Sequence, residues 1–131
     1  MDTPLPVTVT PFDSSGALLM SWPPIIDKES ITSAFHTIMS TLDNTTMPIA
    51  VVVDLRADPK FLMSETIMGA YKPFNHPMLG AWLVVGANPR ARMIGQALVT
   101  MTQRDNIKWF DTMEEMETYR AEQFMTISLL Q

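Results

Sequence analysis

Two short stretches hold most of the side chains that could do chemistry. One is Asp54-Leu55-Arg56, with Asp58 two residues further on; the other is Gly86-Ala87-Asn88-Pro89-Arg90-Ala91-Arg92. Asn88-Pro89 reads as a helix N-cap followed by proline at the first helical position. Arg90 and Arg92 therefore stand beside a helix N-terminus, whose free N–H groups attract anions. An anion or a phosphoryl group could dock on Asp54, Arg56, Asn88, Arg90 and Arg92, with Asp111 nearby. The same residues have a structural reading: Asn88 caps, and the arginines are solvated or pair with Asp54 or Asp111. No Gly-x-Gly-x-x-Gly or Gly-Lys-Ser motif accompanies them. Asp54 and Asp58 could form a carboxylate pair for magnesium, or simply be two solvated charges flanking a loop.

His36 and His76 are the only imidazoles, and neither has a His or Cys partner at metal-ligand spacing. His36 falls on the polar side of a helix, and His76, between Asn75 and Pro77, fits a turn. Asp54, His76 and Arg90 would make an acid–base site only by converging within hydrogen-bond reach. Ser64 and Thr66 stand at a helix start beside Glu65, which is ordinary capping chemistry. There is no Gly-x-Ser-x-Gly elbow. No catalytic residue, metal ligand or cofactor-binding residue is expected.

The elements that must position these groups follow from periodicity. Val7-Thr8-Val9-Thr10 alternates like a half-buried strand. Asp13-Ser14-Ser15-Gly16 is a turn, and Ala17 to Trp22 a second strand, giving a hairpin with a loop of about four residues. Pro6 and Pro11 put the first strand at an edge. After Pro23-Pro24, with Ser30 or Asp27 as cap, Ile31, Ala34, Phe35, Ile38, Met39 and Leu42 mark an amphipathic helix. Pro48 to Leu55 and Leu79 to Gly86 are apolar without alternation, as strands buried on both faces are. Between them, Ser64 to Tyr71 predicts a short helix with Ile67, Met68 and Tyr71 inward, then an irregular turn from Lys72 to Pro77. A helix after Asn88 turns Ala91, Ile94, Gly95, Leu98 and Met101 to one side. Ile107 to Phe110 is a short strand. Thr112-Met113-Glu114-Glu115 has capping-box form, with Met116, Tyr119 and Phe124 on the helix it opens.

The order β-β-α-β-α-β-α-β-α gives an α/β class bordering on α+β. It is a mixed four- to five-stranded sheet with an N-terminal hairpin, then parallel strands, flanked by about four helices. Ligand sites of such sheets gather at the C-terminal strand ends, which is where Asp54, Arg56, Asn88, Arg90 and Arg92 fall.

Composition mainly excludes. The 131 residues suit a single domain over 1–131, with an apolar tail at 125–131. Nine Lys and Arg against 14 Asp and Glu give a net charge of −5, too acidic for a general nucleic-acid binder. The lack of cysteine removes disulfides and thiol catalysis. The start lacks a secretory signal, and the longest apolar run, Ile49 to Val53, is far too short for a membrane span. A soluble, cytoplasmic protein without membrane insertion is expected. Methionine is over-used: 12 residues, more than six Phe and three Trp together. Met39, Met68 and Met101 fit core faces. Met63, Met78, Met93, Met113 and Met125 do not, and with the tail Ile127 to Leu130 they are candidates for a partner or dimer interface.

Four stretches, in order, carry a family resemblance over roughly residues 4 to 124. They are Ile49-Ala50-Val51-Val52-Val53-Asp54-Leu55-Arg56; Met68-Gly69-Ala70-Tyr71; His76-Pro77-Met78-Leu79-Gly80 leading into Trp82-Leu83-Val84-Val85-Gly86; and Trp109-Phe110 followed by Asp111-Thr112-Met113-Glu114-Glu115. Together with the element order, they resemble the STAS fold of anti-sigma-factor antagonists, and more narrowly the SpoIIAA-like proteins. The resemblance implies a non-enzymatic regulatory or signalling module that binds a protein partner or itself. It also implies a phosphoacceptor serine at the start of the second helix. Here that loop, Asp58 to Thr66, lacks the family's Asp-Ser-Ser-Gly run, and Ser64 is the nearest acceptor. The alternative is a module of the same fold that binds an anion, or a small hydrophobic ligand in a pocket between sheet and helix.

Overall fold

Two long apolar runs set the architecture, because a strand with no polar face must be covered on both sides. In the computed structural model, which describes residues 3–130 and side chains as far as 123, these runs are β3 (Ile49–Asp54) and β4 (Leu79–Val85). They lie at the centre of one five-stranded sheet of order β1-β2-β3-β4-β5. Strands β1 (Thr8–Pro11) and β2 (Leu18–Ser21) form the antiparallel hairpin, with β1 at the edge. A bond from Phe12 N–H to Ala17 O, 2.8 Å, closes its turn around residues 13–16. From β2 onward every pairing is parallel, ending at β5 (Ile107–Phe110).

The three crossover helices are α1 (Lys28–Asn44), α2 (Met63–Phe74) and α3 (Pro89–Thr102). They cover one face, with α2 packed between α1 and α3. Alternation within the central strands sends Val51, Val53, Trp82 and Val84 to this side, where they meet Phe35, Ile38, Ile94 and Leu98. The opposite residues, Val52, Leu83 and Val85, form a smaller core with Met116 of α4 (Met113–Leu130).

Local signals explain the helix starts. Asp27 caps α1 by accepting from Glu29 N–H at 3.3 Å, and Asn88 caps α3 by accepting from Ala91 N–H at 2.9 Å. At α4 the Thr112 hydroxyl accepts from Glu115 N–H, 3.1 Å, while the Glu115 carboxylate accepts from Asp111 N–H, 3.2 Å. This is a capping box displaced by one residue.

Three expectations are corrected. Helix α2 does not stop at Tyr71 but runs through Lys72 and Pro73 to Phe74. Proline is tolerated there because only the last turn follows it, and fully buried Phe74 anchors that turn against Trp82, ring centroids 6.4 Å apart. The inward face of α2 is Thr66, Ala70, Pro73 and Phe74; Met68 (77% exposed) and Tyr71 point out, with Ile67 half-buried. Small residues face inward because Phe35 of α1 lies directly over Gly69 and leaves no room for larger ones. Met101 is likewise exposed, 52%, since the last turn of α3 packs inward through Val99. Met39 is half-buried beside the α1 core face. The side chains of Phe124, Met125 and Ile127 to Leu130 lie outside those described.

Candidate functional site

The C-terminal strand ends bring Asp54 and Arg56 together in a two-pronged ion pair. Arg56 Nε donates to Asp54 Oδ1 at 2.9 Å and its terminal NH2 nitrogen to Oδ2 at 2.8 Å. The Arg56 backbone N–H adds a third bond to Oδ1, 3.1 Å. These bonds hold the Asp54 carboxyl below the usual carboxylate range, the Arg56 side chain contributing most and burial pulling the other way. The guanidinium is held charged in turn. Gly86 completes the arrangement: its backbone is left-handed, φ +75°, and a Cβ there would come within 3.0 Å of Arg56 Cγ. Two strand ends thus close around one arginine whose fork already grips a carboxylate.

Asn88 is similarly committed. While its oxygen caps α3, its amide Nδ2 donates to Asp58 Oδ1 and to Pro59 O, both at 3.0 Å. Asp58 itself takes a left-handed backbone, φ 56°, which aspartate tolerates better than most residues. The loop after β3 is thereby tied to the N-terminus of α3. Arg92 does not join this edge; its guanidinium lies 4.9 Å from the ring centroid of Trp109 on β5. Arg90 is exposed and borders an open depression with Asp58, Lys60 and Asn88. The five edge candidates therefore separate into an Asp54–Arg56 pair, an Asn88 cap, an Arg92–Trp109 contact and a solvent-facing Arg90.

His76 lies at the other end of the sheet, in the turn before β4. Its Nε2 is 2.8 Å from Asp43 Oδ1, at the C-terminal turn of α1. Its Nδ1 accepts from Met78 N–H at 3.0 Å, which places the ring proton on Nε2. A strand of six or seven residues spans roughly 20 Å, so Asp54 and His76 do not converge. His36 is exposed on α1, and Ser64 is exposed in the first turn of α2. Among the described residues, no group of three or more His, Asp or Glu side chains could hold a metal ion. No described helix is long and apolar enough to cross a membrane.

Of the interface candidates, Met63 and Met78 are half-buried against the larger core and Met113 against the smaller one. Met93 is 60% exposed. With Met68 and Met101 it makes three exposed methionines on the adjacent helices α2 and α3.

A cleft of about 40 Å³ lies between the sheet and helices α2 and α3, where the sequence offered a pocket as its alternative reading without naming the residues that line it. Five aromatic residues contribute to its wall: Trp22, Phe35, Phe61, Trp82 and Trp109. Two polar atoms of residues in that wall, Trp22 Nε1 and Thr66 Oγ1, are buried without a hydrogen-bond partner among the described residues. A detectable signal was the small-residue pattern Thr66-x-x-Gly69-Ala70, together with Ala91 and Gly95. Such positions let a ring approach a helix axis.

No protein-family model and no curated protein matches the chain. Among solved structures it is similar to an anti-sigma-factor antagonist (STAS) domain protein from Planctomyces limnophilus, at 15% identity and a TM-score of 0.54. The match covers 87% of this chain and 97% of that one. The fold is STAS-like: an antiparallel hairpin, then parallel strands alternating with helices.

Proposed function

We propose that this chain is a non-catalytic regulatory module that acts by docking a protein partner. The observation that carries the reading is the set of exposed methionines Met68, Met93 and Met101 on neighbouring helices of one layer. Methionine is flexible and polarizable, and it makes adaptable contact surfaces. A net charge of −5 keeps the rest of the surface soluble while such a patch stays open. The similar structure is an anti-sigma-factor antagonist domain, a name that describes action on another protein. The polar edge argues the same way, since Asp54, Arg56 and Asn88 are engaged with one another's loops rather than free for substrate.

The test is affinity capture with quantitative mass spectrometry, comparing the wild type with a Met68→Lys/Met93→Lys variant of unchanged circular dichroism and melting temperature. Light scattering over a concentration series is run in parallel to detect self-association. A specific protein, or a second copy, should be retained by the wild type and lost by the variant. A strict monomer at high concentration, with identical capture by both proteins, refutes the reading.

A further inference from the structure

We infer that the free edge of β5 docks an extended segment of a partner protein, which adds to the sheet as a further strand. Its apolar side chains face α3 and its basic ones face α4. This goes beyond the methionine face, because it uses another surface and another kind of contact. The sheet has two outer strands, β1 and β5, and their backbones offer different things. Every second residue of an edge strand turns its N–H and C=O away from its neighbour. On β1 the Phe12 N–H bond to Ala17 O fixes the phase: Thr8 and Thr10 bond to β2, while Val7, Val9 and Pro11 point outward. Val7 N–H is taken by the Ser30 hydroxyl at 2.8 Å, and Pro11 has no N–H. Of these three, only Val9 is left to donate. On β5 the Asn106 and Phe110 carbonyls accept from Trp82 N–H and Gly86 N–H, both at 2.8 Å. Residues 106, 108 and 110 therefore face β4. Ile107 and Trp109 present two N–H and two C=O groups outward, with no partner among the described residues. Neither proline nor a register shift interrupts the strand. Such an edge is a template for strand addition.

The walls on either side decide which strand fits. Toward α3, Ile107 and Trp109 border an open groove with Gly95, Gln96, Val99 and Thr100. The Trp109 ring lies over Gly95, where a Cβ would come within 2.6 Å of two ring carbons, and gives the groove an apolar floor. Toward α4, Phe110 meets Tyr119 with ring centroids 5.4 Å apart, and Glu115 and Thr118 border the same depression as Tyr119. Asp105, Asp111, Glu114 and Glu115 flank the edge and outnumber Lys108 and Arg92. Arg104 reaches away to the His76 carbonyl at 2.7 Å. The flanks are thus complementary to a basic segment. A second copy of this chain fits less well. Pairing two β5 strands through both free N–H groups sets Ile107 opposite Trp109 of the other copy and Lys108 opposite its own counterpart. Like charges directly opposite are destabilising, and the acidic flanks would meet as well.

The probe is the fluorescently labelled, blocked peptide Arg-Val-Thr-Val-Arg, whose valines face α3 while its threonine lies opposite Lys108. Anisotropy should show saturable binding to the intact protein. N-methylation of both valines removes two peptide donors and should weaken binding roughly thirtyfold, the factor for two ordinary hydrogen bonds. Gln96→Arg/Thr100→Arg fills the groove from exposed positions, so it should fold and should abolish binding. Glu114→Gln/Glu115→Gln should weaken binding about threefold at low salt, as expected for exposed charge pairs. Met68→Lys, on α2 and away from this edge, should leave it unchanged, so the methionine face and the β5 edge succeed or fail separately. Amide hydrogen exchange reads strand addition directly. Ile107 and Trp109 should exchange readily in the protein alone and become protected by the peptide, while Lys108, bonded to β4, stays protected throughout. The inference is overturned by no saturable binding at millimolar peptide, by equal binding of the N-methylated peptide, or by binding that leaves Ile107 and Trp109 unprotected. It is also overturned if those amides are already protected at high protein concentration without peptide, which would assign the edge to a second copy.

Discussion

Replacing Gly69 by alanine should destabilise this protein, although the same change in most helices does the opposite. Gly69 lies inside α2 and its backbone is not left-handed, so the helix alone would gain about 1 kcal/mol from alanine. The opposing term comes from Phe35. An ideal Cβ at residue 69 would sit 2.6 Å from Phe35 Cδ2 and 3.1 Å from Cε2, well inside the 3.5–4.0 Å at which carbon atoms attract. Phe35 cannot easily retreat, because it is buried and stacked on Trp82 at 6.4 Å with Trp22 on another side at 6.1 Å. Overpacking of this kind costs about 1–3 kcal/mol. The net change should be a loss of up to about 2 kcal/mol. At this chain length that lowers the melting temperature by up to about 8 °C.

Urea and thermal denaturation followed by tryptophan fluorescence would measure it. A second background isolates the cause: with Phe35→Leu the ring is gone, and Gly69→Ala should become neutral or stabilising. The difference between the two backgrounds is the coupling energy of the pair. A higher melting temperature for Gly69→Ala in the wild type, or an equal effect in both backgrounds, would refute the claim that α1 and α2 are spaced by a ring on a glycine.

Other perturbations test the remaining contacts. His76→Ala strips the Met78 N–H of its acceptor and Asp43 of its partner, and should cost about 1–3 kcal/mol in urea unfolding. Asn88→Ser keeps the cap of α3 and should be mild. Asn88→Asp also caps, yet should cost more, because it sets a second carboxylate where Nδ2 now meets Asp58 Oδ1 at 3.0 Å; thermal melts of the two variants would rank them. Asp13 is held down to about 2, first by the Ser15 hydroxyl and, less strongly, by the Ser15 N–H and Arg120, with burial opposing. Its folded value lies below the unfolded 3.8, so its stabilisation is complete above that pH and fades as pH falls toward about 2. The group is largely exposed, so the effect is below about 1 kcal/mol. A pH series of melts should show wild type and Asp13→Asn converging in that window and staying apart above it.

The strands were legible in the sequence because burial on both faces leaves a plain mark: Ile49 to Val53 and Leu79 to Val85 have no polar face to alternate. Caps were legible too, since Asp27, Asn88 and Thr112 act within their own neighbourhoods. The phase of α2 was not. Hydrophobicity points Met68 and Tyr71 inward, whereas the deciding fact is a ring from α1 that only small residues can receive. At the polar edge, the pairing of Asp54 with Arg56 was one of the alternatives visible two residues apart. Arg92 stacking on Trp109 was not, because it joins a helix start to a strand 17 positions later. The lining of the cleft was not legible for the same reason: Trp22, Thr66 and Trp109 share one wall only when three crossovers have been closed.

The placement of polar groups bears on what the fold can do. At the C-terminal sheet edge every candidate except the solvent-facing Arg90 is matched to an internal partner. Asp54 faces Arg56, Asn88 bridges Asp58 and Pro59, and Arg92 rests on an indole. These contacts rigidify loops, and an anion arriving there would have to displace a carboxylate already bound through two prongs. In the cleft the reverse holds: the wall is apolar, and its two buried donors have no partner among the described residues. Unmatched donors cost stability, whereas matched ion pairs at a surface contribute little. Among the described residues, the interior of the helical layer, not the charged rim, is therefore where unmatched polar groups carry a cost. Helices α2 and α3 form the outer wall of that interior and also bear Met68, Met93 and Met101.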